Sequence, residues 1–216
     1  MLIGTVGDVY HAAPAAPGAD PAVGAAASRI VRCLYSKLGP KHRLAAWARF
    51  LALTAAHPER GVSAVTIGRG AGAARGAPRI EVATLPAFEG GPEACRKRAL
   101  GELARLVDLY DRGMCEPLPL YAKTSEAYAV AARADRSVRS ECAKTWNADG
   151  FSFGEGGEPE HRLVLGAGVS VGDLLAEPAR PHETGEGWGT DPSRFGRFAR
   201  RLWEPLLDHE RQEHGS

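Results

Sequence analysis

Two pairs of strand-like segments enclose one helix-like segment near the start of the chain, and this order restricts the fold more than any other feature. The first pair is Leu2–Tyr10 and Ile30–Tyr35, and the second is Val62–Gly68 and Arg79–Leu85. Each run contains several β-branched residues, which is typical of strands. Between the pairs, Lys41–Ala55 spaces its apolar residues as on one face of a helix. The order β-β-α-β-β predicts an α+β chain.

The rest of the chain predicts several helices and one late strand, at His161–Leu165. The expected helices run from Pro92 to a stop at Gly113, from a cap at Thr124 or Ser125 to Ala134, from Ser137 to Trp146, over Val171–Ala176, and from a cap at Asp191 to a kink or break at Pro205. We therefore expect one domain in two parts. Residues 1–90 form a sheet core with one helix, and residues 91–216 form its helical remainder.

Charge and cysteine content narrow the possible functions. The chain has 27 basic and 26 acidic residues, so any case for nucleic-acid binding must rest on a local cluster. The four cysteines are widely separated and lack the paired spacing of a zinc or redox motif, which indicates reduced thiols. No leader pattern opens the sequence, and no apolar run approaches the ~20 residues that span a bilayer. We expect a cytoplasmic protein with no membrane contact.

Several short motifs give little support for a phosphate-binding, metal-binding or catalytic function. The glycines of GRGAGAARG resemble a phosphate-binding loop, but a strand follows them where such a loop must open a helix, so a hairpin turn is the better interpretation. The histidines lack metal-binding spacing, and no GxSxG motif supports a serine hydrolase. Glu155, Glu158 and Glu160 could bind a cation, although carboxylates in such loops are usually solvated. We predict no metal site and no bound cofactor.

A nuclease of the PD-(D/E)XK type is the enzyme that this strand order brings into question. Such an enzyme needs one carboxylate on a strand and a second on the neighbouring strand, two residues before a lysine, so that both acids hold Mg²⁺. The candidate lysine is Lys37, and Tyr35 stands two residues before it. Asp8 is therefore left alone, and we expect no catalytic residues.

Four stretches then resemble a known family. They are SKLGPKHRLAAWARFLALTA, AVTIGRG, LARLVDLYDRGMCEPLPLYAKTSEAYA and FARRLWEPLLDHE. In this order and spacing they are similar to the C-terminal domain of RecC, the gamma subunit of exodeoxyribonuclease V, in bacteria of GC-rich type. The similarity covers nearly the whole chain, and four separated motifs of this length are a specific signal.

The resemblance implies a PD-(D/E)XK nuclease-like fold, a mixed sheet flanked by helices, that has lost its catalytic residues. Gly7 occupies the place of the first acid, Tyr35 replaces the second, and Asp8 is one position out of phase, toward the other strand face. The implied role is a scaffold beside RecB-like and RecD-like subunits that lines a path for unwound DNA in repair and recombination. Mg²⁺ and ATP would be used by those partner subunits.

Four cations around the start of the predicted helix are the candidate DNA contacts. Lys37, Lys41, His42 and Arg43 lie where cations oppose the helix dipole, so they could hold a backbone phosphate together with free helix N–H groups. The alternative is a helix start whose cations face water. Arg43 could also be the structural partner of a nearby carboxylate.

Two other functions remain open, together with a question about the extent of the chain. The chain could be an active nuclease that uses Asp8 with a remote glutamate such as Glu81. It could instead bind only protein, through exposed Trp188 and Trp203 and the proline-rich EPLPLY. RecC-family members are several times longer, and the first strand at Leu2 leaves no room for a preceding helix. We therefore expect a fragment with one under-covered sheet face that self-associates.

Overall fold

A computed structural model of the protein describes residues 4–11, 27–70, 79–148, 154–185 and 187–215. The chain forms two compact units, one of residues 1–106 with 208–216 and the other of residues 107–207. The first unit thus extends past residue 90 and regains the C-terminal segment. The start of the predicted first strand at Leu2 and most of the glycine-rich loop lie outside the described residues.

The first unit is built on a mixed five-stranded sheet in the order β1-β2-β3-β4-β5. Its strands are β1 (Val9–His11), β2 (Ser28–Lys37), β3 (Ser63–Arg69), β4 (Ile80–Leu85) and β5 (Arg211–Gly215). Strands β2 and β3 pair in parallel, and the other neighbours pair antiparallel. The structure confirms the predicted α+β class, the two strand pairs and their order. Strand β5 was not predicted.

Helix α1 (Pro40–Ala56) covers one face of this sheet and contacts β3 and β4. Side chains alternate along a strand, and in β3 the inward residues Ala64 and Thr66 are buried while Val65 and Ile67 are only partly so. Trp47, Phe50 and Leu51 of α1 are almost fully buried; Trp47 and Leu51 belong to the predicted helical spacing, and Phe50 does not. The apolar stripe of α1 therefore supplies the core of the first unit.

The C-terminal segment is anchored in that same core. The His209 ring packs against Trp47, Phe50 and Phe88, with ring centroids 4.6 to 5.8 Å apart. His209 Nε2 donates to the Pro86 carbonyl oxygen at 2.7 Å. These contacts fix the chain just before β5, so that strand can add to the sheet edge beside β4.

Helices make up the second unit, apart from an isolated bridge. They are the end of α2 (Pro92–Cys115), then α3 (Ala122–Arg133), α4 (Val138–Trp146), α5 (Pro159–Leu165), α6 (Val171–Ala176) and most of α7 (Arg194–His209). Tyr121, Tyr128, Trp146 and Phe195 form the centre of their core. Within the described ranges, no helix has the length and apolar character needed to cross a membrane.

Several sequence predictions for the second unit are wrong in detail. The expected strand at His161–Leu165 is helix α5, because Pro159 opens a helical turn and Gly166, at φ 85°, ends it. Gly113 lies inside α2 and does not stop it, and of the predicted kink or break at Pro205 the break does not occur, because α7 runs through that residue. At Gly113 and Pro205 the helix continues past a residue that alone favours its end.

The start of α3 shows a second kind of error. Neither Thr124 nor Ser125 caps it from the expected position, since both are buried inside the helix. The carboxylate of Glu155 caps it instead, accepting from the backbone N–H groups of Lys123 and Thr124 at 3.0 and 2.7 Å. Glu155 is 3% exposed, so it is not part of a solvated acidic loop.

The tryptophans predicted to be exposed are also buried. Trp188 is 7% exposed and stacks edge-on against Phe198, with ring centroids 5.0 Å apart. Trp203 is 0% exposed. In EPLPLY, Pro119 and Tyr121 are buried as well. These side chains stabilise the helical unit and do not offer an aromatic surface to a protein partner.

Candidate nucleic-acid interface

A β-bulge near the end of β2 organises the surface that the sequence singled out. The parallel register pairs Cys33 with Ile67 and then Lys37 with Arg69. The segment Leu34–Ser36 is therefore opposite Gly68 alone. A bulge of this kind redirects the side chains that it carries. Here it turns Tyr35 out of the sheet, and the ring is 91% exposed.

Gly68 permits this arrangement. A Cβ atom at Gly68 would lie 3.0 Å from both the Cβ and the backbone nitrogen of Leu38. Leu38 N also donates to the Arg69 carbonyl oxygen at 3.0 Å, which returns the chain to the sheet after the bulge. The close approach of these two strands requires a residue without a side chain at position 68.

One cationic side chain lies near the Tyr35 ring, and others are on the adjoining segments. The Arg69 guanidinium lies 5.7 Å from the Tyr35 ring centroid, and Arg69 is the cross-strand neighbour of Lys37. The Ser36 hydroxyl is 3.2 Å from His42 Nε2, which joins the bulge to the first turn of α1. We call this region the bulge surface and define it by six side chains: Arg32, Tyr35, Lys37, Lys41, His42 and Arg69.

The start of α1 contributes positive potential to the bulge surface. Gly39 is the N-cap, and among the described residues no side chain caps it. The first turn holds Lys41 and His42 and has no acidic residue. Because the helix dipole already places partial positive charge at this end, the cations increase the potential there. One acid lies nearby, since the Asp8 carboxylate is 3.8 Å from Arg32 Nε.

The pKa of His42 is affected by the same positive potential. Partial burial lowers the pKa of His42 from its ordinary value of 6.5, and the charges of Lys41 and Arg32 lower it further. Lys37 and Arg69 are also register partners on the parallel strands β2 and β3, so two side chains of like charge leave neighbouring strands at the same level. An anion placed between these cations would relieve both conflicts.

Arg43 requires a correction, because it does not lie on the bulge surface. Its side chain is 5% exposed and pairs with Glu210, whose side chain is 3% exposed. Arg43 Nε donates to the two Glu210 carboxylate oxygens at 3.1 and 2.8 Å, and Nη2 donates to Oε2 as well. The structural partner that the sequence left open for Arg43 is therefore the one observed, and a guanidinium buried in this way is not a surface contact for DNA.

Gly7, Asp8 and Tyr35 are the positions that the sequence predicted as degenerate nuclease residues. Gly7 and Asp8 are exposed just before β1, and Asp8 has a positive φ of 59°. The β1–β2 register pairs Val9 with Ile30, and Val31 N donates to the Asp8 carbonyl oxygen at 3.0 Å. Extended by one more residue, this pairing sets Gly7 opposite Arg32. Tyr35 lies further along β2, so the two degenerate positions are not directly opposite.

A second group of titratable side chains lies in the helical unit. Within the described ranges, Glu116, His182 and Glu183 are the side chains placed closely enough to share a metal ion. Two arginines already donate hydrogen bonds to the Glu116 and Glu183 carboxylates. Arg194 Nε donates to Glu183 at 2.7 Å and its Nη2 to Glu116 at 3.1 Å, while Arg180 Nη1 donates to Glu116 at 2.5 Å. The group is a salt-bridge network, and Asp8 is not part of it.

The comparisons with known proteins decide the family. The sequence profile of the RecC C-terminal domain family matches residues 1–133. The chain is 40% identical over 184 residues to the RecBCD enzyme subunit RecC of Mycolicibacterium smegmatis. The chain belongs to the RecC C-terminal domain family. The resemblance inferred from the four sequence stretches is thereby confirmed.

The match to RecC covers most of this chain but a small part of each relative. Two strains of Mycobacterium tuberculosis have a RecBCD enzyme subunit RecC that is 36% identical over 182 residues. These alignments cover 84 to 85% of this chain but only 15% of each relative. The bulge surface lies wholly within the part that matches the RecC C-terminal domain.

The sequence prediction did not include two members of the bulge surface, and it gave a third member a different role. Arg32 and Arg69 were not predicted, because each lies in a strand. Arg32 is near His42 of α1 and Arg69 is near Tyr35 only in the folded sheet. Tyr35 was noted only as a missing acid. One signal was present, since Leu34 and Tyr35 are adjacent large residues that break the alternation of a strand.

Proposed function

We propose that this RecC-family domain is a catalytically silent nuclease-like domain that holds unwound DNA and partner subunits in a RecBCD-type helicase–nuclease complex. Such a complex acts in double-strand break repair and recombination. The observation that carries the proposal is the bulge surface, which gathers four cations, a histidine and an exposed aromatic ring within the RecC-matched segment. A phosphate backbone is the ligand that such a surface fits best.

The position of Asp8 argues against catalysis. Its carboxylate faces Arg32, and the strand order places β1 three strands from β4, which carries Glu81. Three strand spacings amount to about 14 Å. Two oxygens that share one Mg²⁺ must lie within about 4 Å of each other. This separation of the strands argues against a shared two-acid site of Asp8 with Glu81, the glutamate offered as an example in the active-nuclease alternative.

The partner subunits follow from the relatives. Those proteins are named as RecC subunits of the RecBCD enzyme, which by its name includes RecB and RecD. We propose that this domain contacts RecB-like and RecD-like subunits and that Mg²⁺ and ATP act at those subunits. The protein-only alternative loses its proposed surface, because Trp188 and Trp203 are buried.

A DNA-binding measurement tests the proposal. We expect weak, sequence-independent binding of fluorescent oligonucleotides, measured by anisotropy, that decreases as salt increases. The variant Lys37→Glu/Lys41→Glu should bind more weakly. Its log–log salt slope should be shallower by about 1.4 on single strands, because each lost phosphate contact removes about 0.7. Arg96→Glu/Lys97→Glu is the matched control, since both of these side chains are exposed on α2.

Three results would contradict the proposal. Equal affinity of Lys37→Glu/Lys41→Glu and the unchanged chain would show that the helix start is merely solvated. Absence of DNA binding at low salt would leave only the protein-binding role. Cleavage of DNA with Mg²⁺ or Mn²⁺ that is abolished by Asp8→Ala would establish the active nuclease.

A further inference from the structure

We propose that Tyr35 is a stacking platform for one unpaired base, so that the bulge surface selects single-stranded over duplex DNA. This inference rests on the proposed function and adds to it the form of the nucleic acid and the residue that recognises it. Tyr35 had no role in the nuclease comparison except as a missing carboxylate.

The exposure of Tyr35 is the first support. Tyr121 and Tyr128 are each 5% exposed and lie in the core of the helical unit, whereas Tyr35 is 91% exposed. Its neighbour Arg69, with the guanidinium 5.7 Å from the ring centroid, leaves most of the ring open. An aromatic ring in this state contributes little to the stability of the fold and offers a flat apolar surface to a ligand.

The backbone that presents the ring is the second support. The bulge is fixed on both sides, by the Cys33–Ile67 pair before it and, after it, by the Lys37–Arg69 pair and the bond from Leu38 N to the Arg69 carbonyl oxygen. The ring is therefore carried by a strand of the sheet and not by a free loop. Aromatic platforms for bases are effective when the backbone is fixed, because less conformational freedom is lost on binding.

The cations beside the ring define the chemical class of the ligand. A base that stacks on Tyr35 brings its own phosphates close to Lys37 and Arg69, whose mutual repulsion a phosphate would reduce. This combination of an aromatic ring with flanking cations is the general pattern for binding single strands. In a duplex both faces of each base are already stacked on neighbouring pairs, so only the phosphates can be contacted.

Two DNA forms and three variants test the inference. The probes are a labelled oligothymidylate of ~15 nucleotides, which is within the span of single-strand binding folds, and a blunt duplex hairpin with the same number of phosphates, closed by a linker that carries no bases. Tyr35→Ala should weaken single-strand binding by about 5- to 150-fold, the effect of losing one stacked base. Tyr35→Phe keeps the ring and should retain the affinity. Tyr110→Ala is the control, since Tyr110 is 67% exposed on α2.

The duplex measurement separates base stacking from charge. Tyr35→Ala should leave hairpin binding unchanged, whereas Lys37→Glu/Lys41→Glu should weaken binding of both probes. In the variant Tyr35→Trp, the single strand should quench the fluorescence contributed by the new indole and the hairpin should not, with Tyr110→Trp as the matched control for that signal.

The outcomes distinguish this inference from the proposed function. Unchanged single-strand affinity in Tyr35→Ala, together with a loss in the lysine variant, would overturn the stacking role and leave the DNA-binding function intact. Equal weakening of single-strand and hairpin binding in Tyr35→Ala would also overturn it, because the ring would then be supporting the surface and not reading a base. Absence of binding to either probe would overturn both.

Discussion

Arg43 and Lys41 lie two residues apart in the first turns of α1, yet their charged groups are in opposite environments. Arg43 is buried and held by Glu210, and Lys41 is exposed on the bulge surface. The helical unit repeats the first situation, where Arg194 is held by Glu116 and Glu183. These two arginines are buried with carboxylates, whereas Lys37, Lys41 and Arg69 of the bulge surface are exposed.

The difference also explains why position along the sequence is a poor guide to the role of a charge. A helix places residues two apart on nearly opposite faces, so one residue can point into the core and the other toward solvent. Burial of a charge is tolerated only with a partner of good geometry. Glu210 supplies that partner from the far end of the chain, a contact that the local sequence around Arg43 does not show.

The largest expected effect is on stability. Arg43→Ala should lower the free energy of unfolding by about 3–5 kcal/mol, because it leaves the buried carboxylate of Glu210 without its partner. Lys41→Ala, the matched surface change, should alter it by less than about 0.5 kcal/mol. Chemical denaturation monitored by tryptophan fluorescence measures both.

A double variant sharpens this first test. Arg43→Met/Glu210→Met removes both charges and keeps apolar volume, so it should recover most of the stability that Arg43→Ala loses. Equal stability of Arg43→Ala and Lys41→Ala would show that the buried pair contributes nothing. The distinction between the two kinds of cation would then fail.

A smaller loss of stability is expected at the bulge. Gly68→Ala places a Cβ atom 3.0 Å from the backbone of Leu38, so the two strands must separate slightly, which should lower stability by about 1–3 kcal/mol. Gly113→Ala should instead raise it by about 0.5–1 kcal/mol, since this helical glycine has only a 3.7 Å contact to Leu118. Thermal denaturation of both variants checks the signs.

The same variant connects the bulge to DNA. If the bulge sets the position of Tyr35, Gly68→Ala should also weaken single-strand binding under conditions where the variant remains folded. Full binding by a destabilised Gly68→Ala chain would show that the bulge matters for the fold alone.

The sequence predicted the order of the first elements because each depends on local alternation or helical spacing. Strand β5 escaped prediction because RQEHG has no apolar pattern; backbone pairing with β4 and the anchoring of His209 and Glu210 hold it in place. The broken alternation at Leu34 and Tyr35 was the one sign of the exposure of Tyr35, and it was not sufficient, since the bulge exists only relative to the register of β3. In α5 the run HRLVL looks like a strand, but Pro159 and the turn at Gly166 set its helical conformation.

A modest pH effect on stability should come from His209. Burial against the aromatic core lowers the pKa of His209 below 6.5, although its bond to the Pro86 carbonyl oxygen opposes the shift. The unfolded chain then binds a proton more tightly than the folded chain, so stability should fall as pH drops below about 6.5. His209→Gln should reduce the part of this dependence that lies between pH 5 and 7, as measured by melting temperature. An unchanged pH profile in His209→Gln would contradict the assignment.

The smallest expected effect is a pH dependence of DNA binding that originates at His42. In the free protein, partial burial, Lys41 and Arg32 lower the pKa of His42. A phosphate on the bulge surface would oppose the two cations and raise that pKa, so binding would take up a proton and affinity would increase as pH falls toward and below 6.5. We expect a gain of a few-fold for the unchanged chain between pH 7.5 and 6, measured by anisotropy at constant salt, and a flatter profile for His42→Gln. The sign is the decisive part, because DNA bound elsewhere would leave the two profiles parallel, and bound phosphate at this surface cannot lower the affinity of His42 for a proton.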